Sequence, residues 1–313
     1  MTSKSANASG ASSSGGVLQS IASRVRQNPT LGRVALLSIP DFSKKIRIEP
    51  IGPFYIRLRR HRSYWLRDPL THERTMFGAL QQMTTQGDVV WDVGANIGLY
   101  TRFFAQVFGA ASVVAFEPMT ENQTLLKRNI EVGGIGARVT HLPYALFDRS
   151  GPATLQVDTA QSGSAALDDV TGGRPSAGHE QYGLSGKTET VEMRTGDELI
   201  VSSQAPAPAV VKIDIEGAEA GCLRGMQQTL AEHRPRLAIE LHELETSRDV
   251  LQILDSAGYI SRAFLRRDGV RRWERVTPGS IATLSNTYDL HHVFAEHADT
   301  EQLLETEPAR YER

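Results

Sequence analysis

The stretch VVWDVGANIGLYTRFFAQVFG, residues 89–109, constrains the fold more than any other part of this chain. An apolar run of five residues ends in a tight glycine turn, and apolar residues then recur at helical spacing at Leu99, Phe103, Phe104 and Val107. A short unbroken apolar run fits a strand buried on both faces of a parallel sheet. The pattern repeats in VVAFE (113–117), RVTHL (138–142), VVKIDI (210–215) and RLAIEL (236–241), with helical windows near 98–108, 120–132, 217–231 and 246–257. Strands alternating with helices imply an open, doubly wound, Rossmann-like α/β sheet, mostly parallel. YISRAFL and YDLHHVFA, within 259–295, are expected to form an antiparallel hairpin at the sheet edge, and the glycine-rich stretch 150–190 an excursion of short strands and a loop.

Four regions follow from this reading. Residues 1–30 form a disordered tail and a short helix, the latter from Val17, Ile21 and Val25 with Pro29 as its stop. Residues 31–75 form a β-rich extension, 76–295 the main domain and 296–313 an acidic tail. The chain has 313 residues and a formal net charge of −2, which disfavours a nucleic-acid binder built on overall positive charge. No run reaches the roughly 18 apolar residues of a membrane span. A single cysteine, Cys222, excludes a disulfide framework within one chain and reads as an inert core thiol. With no apolar signal segment, the expected location is cytoplasmic. The Ser-rich, acid-free first forty residues also fit an organelle transit peptide. The arginines between Arg57 and Arg67 read either as a solvated strand face or as a rim for an anionic substrate or lipid headgroup, which leaves peripheral membrane association open.

The glycine turn carries the first chemical signal. Gly94 and Gly98 permit a close approach to the main chain, and the turn opens a helix with exposed N–H groups. Asp92 ends the strand before it, and Glu117 ends the next strand, where a carboxylate can accept both hydroxyl hydrogens of a ribose. A dinucleotide site needs a middle glycine to admit pyrophosphate, but Asn96 stands there. Asp92 would repel pyrophosphate and attract a sulfonium or ammonium group. The expected cofactor is therefore S-adenosylmethionine, not NAD. An NAD-dependent oxidoreductase and a catalytically silent binding protein of the same fold are the alternatives.

Further along, VVKIDIEGAE puts Lys212, Asp214 and Glu216 at alternate positions of a strand, so that two carboxylates leave the sheet at its ligand-binding edge. Lys212 would be costly to bury without an acid such as Asp214 or Glu240. Glu240 and His242 alternate out of the last parallel strand, and His242 is a candidate to take a proton from an acceptor hydroxyl. Asp214, Glu216 and His242 are ligand types that suit magnesium or manganese, but nothing in their spacing demands a metal, and none is expected.

In order along the chain, DVGANIG, FEP (116–118), ALFD (145–148), VVKIDIEGAE (210–219) and IELHE resemble the FkbM-family methyltransferases over roughly residues 76–295. The resemblance implies a class I methyltransferase fold. It also implies S-adenosylmethionine and methylation of a hydroxyl on a sugar, a lipid-linked glycan or a secondary metabolite. By matching position, Asp92, Gly94, Asn96 and Gly98 would line the donor's methionine end, Glu117 would hold the ribose and Asp148 would sit near the adenine. Asp214, Glu216 and His242 would lie on the acceptor side. SGSA (162–165) resembles the family's Ser-rich turn. RTGDEL departs from the family's T-L-D at Gly196, which puts the role of Asp197 in doubt.

Overall fold

The computed structural model describes residues 29–66, 68–157, 165–168, 187–242, 244–267, 270–288, 290–300 and 302–304. The expected helix through Val17, Ile21 and Val25, most of SGSA and the end of the chain lie outside the described residues.

The amino-terminal part holds helix α1 (Pro29–Leu37), hairpin strands β1 (Ser43–Ile48) and β2 (Gly52–Arg57), short helices α2 (Ser63–Leu66) and α3 (Pro69–His72), and α4 (Arg74–Met83). The first half of the main sheet is β3 (Val89–Val93), α5 (Leu99–Gln106), β4 (Ser112–Phe116), α6 (Thr120–Val132) and β5 (Val139–Leu142). The excursion contains β6 (Tyr144–Leu146), β7 (Gly151–Val157), β8 (Ala166–Leu167) and β9 (Lys187–Arg194). The second half runs through α7 (Gly196–Val201), β10 (Val210–Ile213), α8 (Glu219–Arg224), α9 (Gln227–Glu232), β11 (Arg236–Glu240) and α10 (Leu244–Ser256). It ends with β12 (Tyr259–Arg267), β13 (Val270–Arg275), α11 (Ile281–Tyr288) and β14 (His292–His297).

Eight strands form one sheet in the order β13-β12-β14-β11-β10-β3-β4-β5. The pairs from β11 to β5 are all parallel. The chain winds outward from β3 through β4 to β5, then returns to build β10 and β11 on the other side. The crossover point lies between β3 and β10, and ligands bind at such a point, beyond the strands' carboxyl ends. Val90, Trp91, Val114, Val211 and Ile239 have no exposed surface, which is why these strands read as unbroken apolar runs.

The expected edge hairpin is rearranged. β14 lies between β11 and β12, antiparallel to both. Val293, Phe294 and Ala295 are fully buried and need neighbours on both sides. β13 is the hairpin partner of β12, and its exposed Arg271, Arg272 and Arg275 blunt the open edge.

The excursion folds into a second sheet, β6-β9-β7-β8, with Leu155, Leu167, Val191 and Met193 packed beneath it. The amino-terminal hairpin is stitched to the main domain. The Arg102 guanidinium, buried on α5, donates to the carbonyls of Ile51 and Pro53. Asn129 of α6 donates to the carbonyls of Tyr55 (3.0 Å) and Ile97 (2.8 Å). Phe54 and Ile56 share one core with Phe77, Phe103 and Phe104. Asp197 accepts from the N–H groups of Gln228 (2.9 Å) and Thr229 (2.8 Å), so it caps the start of α9.

Candidate active site

The turn after β3 is held from three sides. Gly94 has φ +75°, and a Cβ there would lie 1.9 Å from the Asp214 carbonyl oxygen. Only glycine lets the turn rest against the end of β10. Asn96 follows at φ 51°, a conformation that asparagine tolerates better than most residues. Its N–H donates to Glu117 Oε2 at 2.8 Å, while the Met119 N–H donates to Glu117 Oε1 at 2.9 Å. Gly98, at φ +90°, starts α5 under Leu126, whose Cδ1 would lie 2.6 Å from an added Cβ.

Two cavities open at this edge of the sheet and share Ser63, Glu73, Gly94, Asn96 and Asp214. One, of about 320 Å³, runs from the turn under the second sheet. Among the described residues, Glu73, Glu117, Asp214, Glu216 and Glu240 line it with no Lys or Arg, and Phe116, Leu146, Leu155 and Leu167 form its apolar end. The other, of about 410 Å³, carries Arg60, Arg62 and Lys212 together with Tyr64 and Tyr100.

Lys212 links the turn to the acids. Its Nζ donates to the Gly94 carbonyl at 3.0 Å and lies 3.3 Å from Asp214 and 3.6 Å from Asp92. Burial opposes its charge, but Asp214 and Asp92 overcome this and raise its proton affinity. Burial alone would also push the Asp214 carboxyl up, yet Lys212 and His242 hold it below the usual range. Glu240 goes the other way. Burial and the charges of Asp214 and Glu73 push its carboxyl up to about 8. Glu117 is likewise raised by burial, to about 7.

Of the residues named from sequence, Gly94, Asn96, Glu117, Asp214 and Glu216 line the acidic cavity. Gly98 acts one turn behind it. Asp92 stands elsewhere: it has no exposed surface, accepts from the Thr101 hydroxyl at 2.6 Å and faces Lys212. Parallel register sets Asp92 beside Lys212, so its charge is spent inside the sheet. Asp148 is also absent from the cavity lining. It pairs with Arg149 (3.0 Å) and Arg224 (3.6 Å) instead. His242 lines neither cavity; its Nδ1 lies 2.8 Å from Glu219 Oε1 and its Nε2 3.7 Å from both Asp214 and Glu216. Burial would favour the neutral ring, but these acids outweigh it and push His242 up to about 10. Most of the arginine run is structural: Arg57 and Arg60 pair with Asp41 and Glu121, and Arg59 donates to the Ile39 carbonyl.

Sequence reasoning missed Ser63 and Glu73, which reach the site from the amino-terminal part. Glu73 accepts from the Tyr100 hydroxyl at 3.0 Å and lies 4.0 Å from His292. Neither residue sits in a recognisable pattern. Ligand-type atoms of Asp214, Glu240 and His242, and of Glu73, Glu240 and His292, lie within 4.8 Å of one another. The fixed cation among these acids is Lys212.

The acidic cavity suits S-adenosylmethionine. The Oδ1 atom of Asn122, which lines it, is a buried acceptor without a hydrogen-bond partner among the described residues, open to a ligand's hydroxyl or ammonium hydrogen. The chain is 28% identical over 194 residues to the hexuronic acid methyltransferase AglP of Haloferax volcanii, which covers 62% of this chain and 72% of that protein. It is 24% identical over 186 residues to methyltransferase sdnD of Sordaria araneosa, covering 54% and 72%. A solved FkbM methyltransferase from Methylobacillus flagellatus KT is 21% identical with a TM-score of 0.39; the match covers 66% of this chain and 43%, less than half, of that one. The methyltransferase FkbM domain matches residues 92–261, from the strand end before the glycine turn to the start of β12. The chain thus belongs to the FkbM family of methyltransferases and has their class I fold and S-adenosylmethionine-dependent chemistry.

Proposed function

We propose that the chain methylates a hydroxyl of an anionic sugar or glycan. The observation that carries this reading is the contrast between the two joined cavities. Among the described residues, five carboxylate residues and no basic ones line the first, while the second sets Arg60, Arg62 and Lys212 beside the shared Glu73 and Asp214. A sulfonium and an ammonium group favour the first. A hydroxylated acceptor with a carboxylate or phosphate favours the second, which Tyr64 and Tyr100 also line. The printed activity of the archaeal relative, on a hexuronic acid, is of this chemical kind.

S-adenosylmethionine supplies an activated methyl group, so the protein's contribution is mainly alignment of the two reactants. Glu117 takes the ribose hydroxyls. Asp214 and Glu73, common to both cavities, orient the reacting groups. His242, held as an imidazolium by Glu219, fixes Asp214 and Glu216. Glu240, its carboxyl pushed up to about 8 by burial and by Asp214 and Glu73, accepts the hydroxyl proton when ionised, so this role grows as pH rises towards 8. Asp214, held low by Lys212, is the weaker base.

The test is transfer of labelled methyl from S-adenosylmethionine to methyl glucuronide and to methyl glucoside. A labelled methyl ether forming at least tenfold faster on the uronide is expected. Equal rates would remove the anionic preference, and product on neither would overturn the sugar reading.

A further inference from the structure

Among the described residues, nine large apolar side chains are exposed, and six of them fall between residues 31 and 66. Helix α1 buries Gly32 and Leu36 and turns Leu31, Val34 and Leu37 outward at one-turn spacing, with Val34 60% exposed. Phe42 and Trp65, also exposed, meet at one residue. The Leu58 N–H donates to the Phe42 carbonyl at 3.0 Å, and the Trp65 indole N–H donates to the Leu58 carbonyl at 2.8 Å. The Arg59 contact to Ile39 ties the exit of α1 to the same turn. Leu66, 59% exposed, lies next to Trp65 and lines the basic cavity with Arg62.

Charge is skewed in the same region. Residues 31–66 hold eight Lys or Arg against two acids, Asp41 and Glu49, in a chain of net charge −2; Arg57 and Arg60 pair with Asp41 and Glu121 and Arg47 with Glu49, so the excess rests on the others. Arg33, Lys44, Lys45 and Arg47 are exposed. Solvated apolar side chains of this number mark an interaction surface. An indole at the rim and flanking basic residues fit the headgroup layer of an anionic membrane. A second copy of this positively charged face would meet it with like charge.

We infer that α1 and the Phe42–Leu66 turn form a docking surface for an anionic lipid bilayer, which holds the mouth of the basic cavity at the headgroup level. The docking stands independently of the methyl-transfer reading. Its consequence for the acceptor, that it is drawn from the lipid surface, rests on that reading.

The test is co-sedimentation of the full chain with phosphatidylcholine vesicles, with and without about one-third phosphatidylglycerol. A double variant, Val34→Ser with Leu37→Ser, alters exposed positions outside both cavities. Binding only to the anionic vesicles is expected, falling with salt over the range where surface charges are screened and weakened at least tenfold in the variant. Circular dichroism and S-adenosylmethionine affinity should stay those of the unaltered chain, which separates lost docking from lost folding or a misassigned donor site. No sedimentation with anionic vesicles, sedimentation the variant leaves intact, or a dimer the variant dissociates would each overturn the proposal.

Discussion

Replacing Glu117 with Gln changes the pH dependence of stability by an amount that can be worked from the structure. The carboxyl is buried beside the N–H groups of Asn96 and Met119, and its proton affinity rises from an ordinary 4.5 to about 7. Below pH 4.5 it is neutral in both the folded and the unfolded chain. As pH rises, the unfolded chain ionises first while the folded one holds its proton until about 7. The stability present at low pH is therefore lost as pH climbs through this window. At 1.36 kcal/mol per unit, the loss is about 3 kcal/mol. Glutamine cannot ionise, so this dependence disappears. One of its amide N–H groups would face a backbone N–H, which costs about 1–3 kcal/mol at every pH. Urea unfolding between pH 4.5 and 8.5, followed by fluorescence of Trp91, which packs 5.1 Å from Phe116 at this strand end, measures both terms. The stability of the unaltered chain relative to Glu117→Gln should fall by about 3 kcal/mol across that range. A difference constant with pH would refute the argument that burial governs this carboxyl. Donor affinity should move oppositely, rising with pH through 7, because the ionised carboxylate accepts both ribose hydroxyls; in Glu117→Gln that rise should be absent.

Four other outcomes follow. Lys212→Met leaves Asp92 as an uncompensated buried charge and should lower stability by about 3–5 kcal/mol, measured by denaturant unfolding. His242→Gln should cost most stability below pH 6.5 and least above pH 10, since a raised histidine gives its stabilisation when protonated; thermal unfolding at both ends checks this. Glu240→Gln should reduce turnover by about 10²–10⁴ while sparing donor affinity, and unchanged turnover would remove Glu240 as the base. Cys222 is fully buried and burial pushes its thiol up, so a thiol reagent should find no reactive group until the chain is unfolded in urea.

The strands were legible wherever burial on both faces left an unbroken apolar run, as at β3, β4, β10 and β11. The glycine turn and Glu117 were legible for the same local reason: backbone conformation and strand ends are written in short segments. Asp92 was not, because period-two alternation gives a residue's face but not its partner. Only the register that sets Asp92 beside Lys212 shows that the carboxylate is consumed inside the sheet. Among the acids that do line the cavity are Glu73, Asp214 and Glu240, and Glu73 arrives from the amino-terminal part with no motif around it. His242 was expected to take the acceptor's proton, but it lies outside both cavities and its contact with Glu219, 23 positions away in sequence, helps hold its own proton. The edge strands followed a similar rule: YISRAFL and HHVFA do pair, yet the insertion of β14 beside β11 reflects how much of it must be covered.

The clasp of Arg102 and Asn129 on the amino-terminal hairpin makes the early part of the chain a removable jaw seated on a fixed anvil. The anvil, which the family match covers from Asp92 onward, carries the glycine turn and Glu117. The jaw brings Ser63, Tyr64 and Glu73 to the working surface. Changes confined to that jaw would reshape one wall of both cavities while the anvil stayed unchanged.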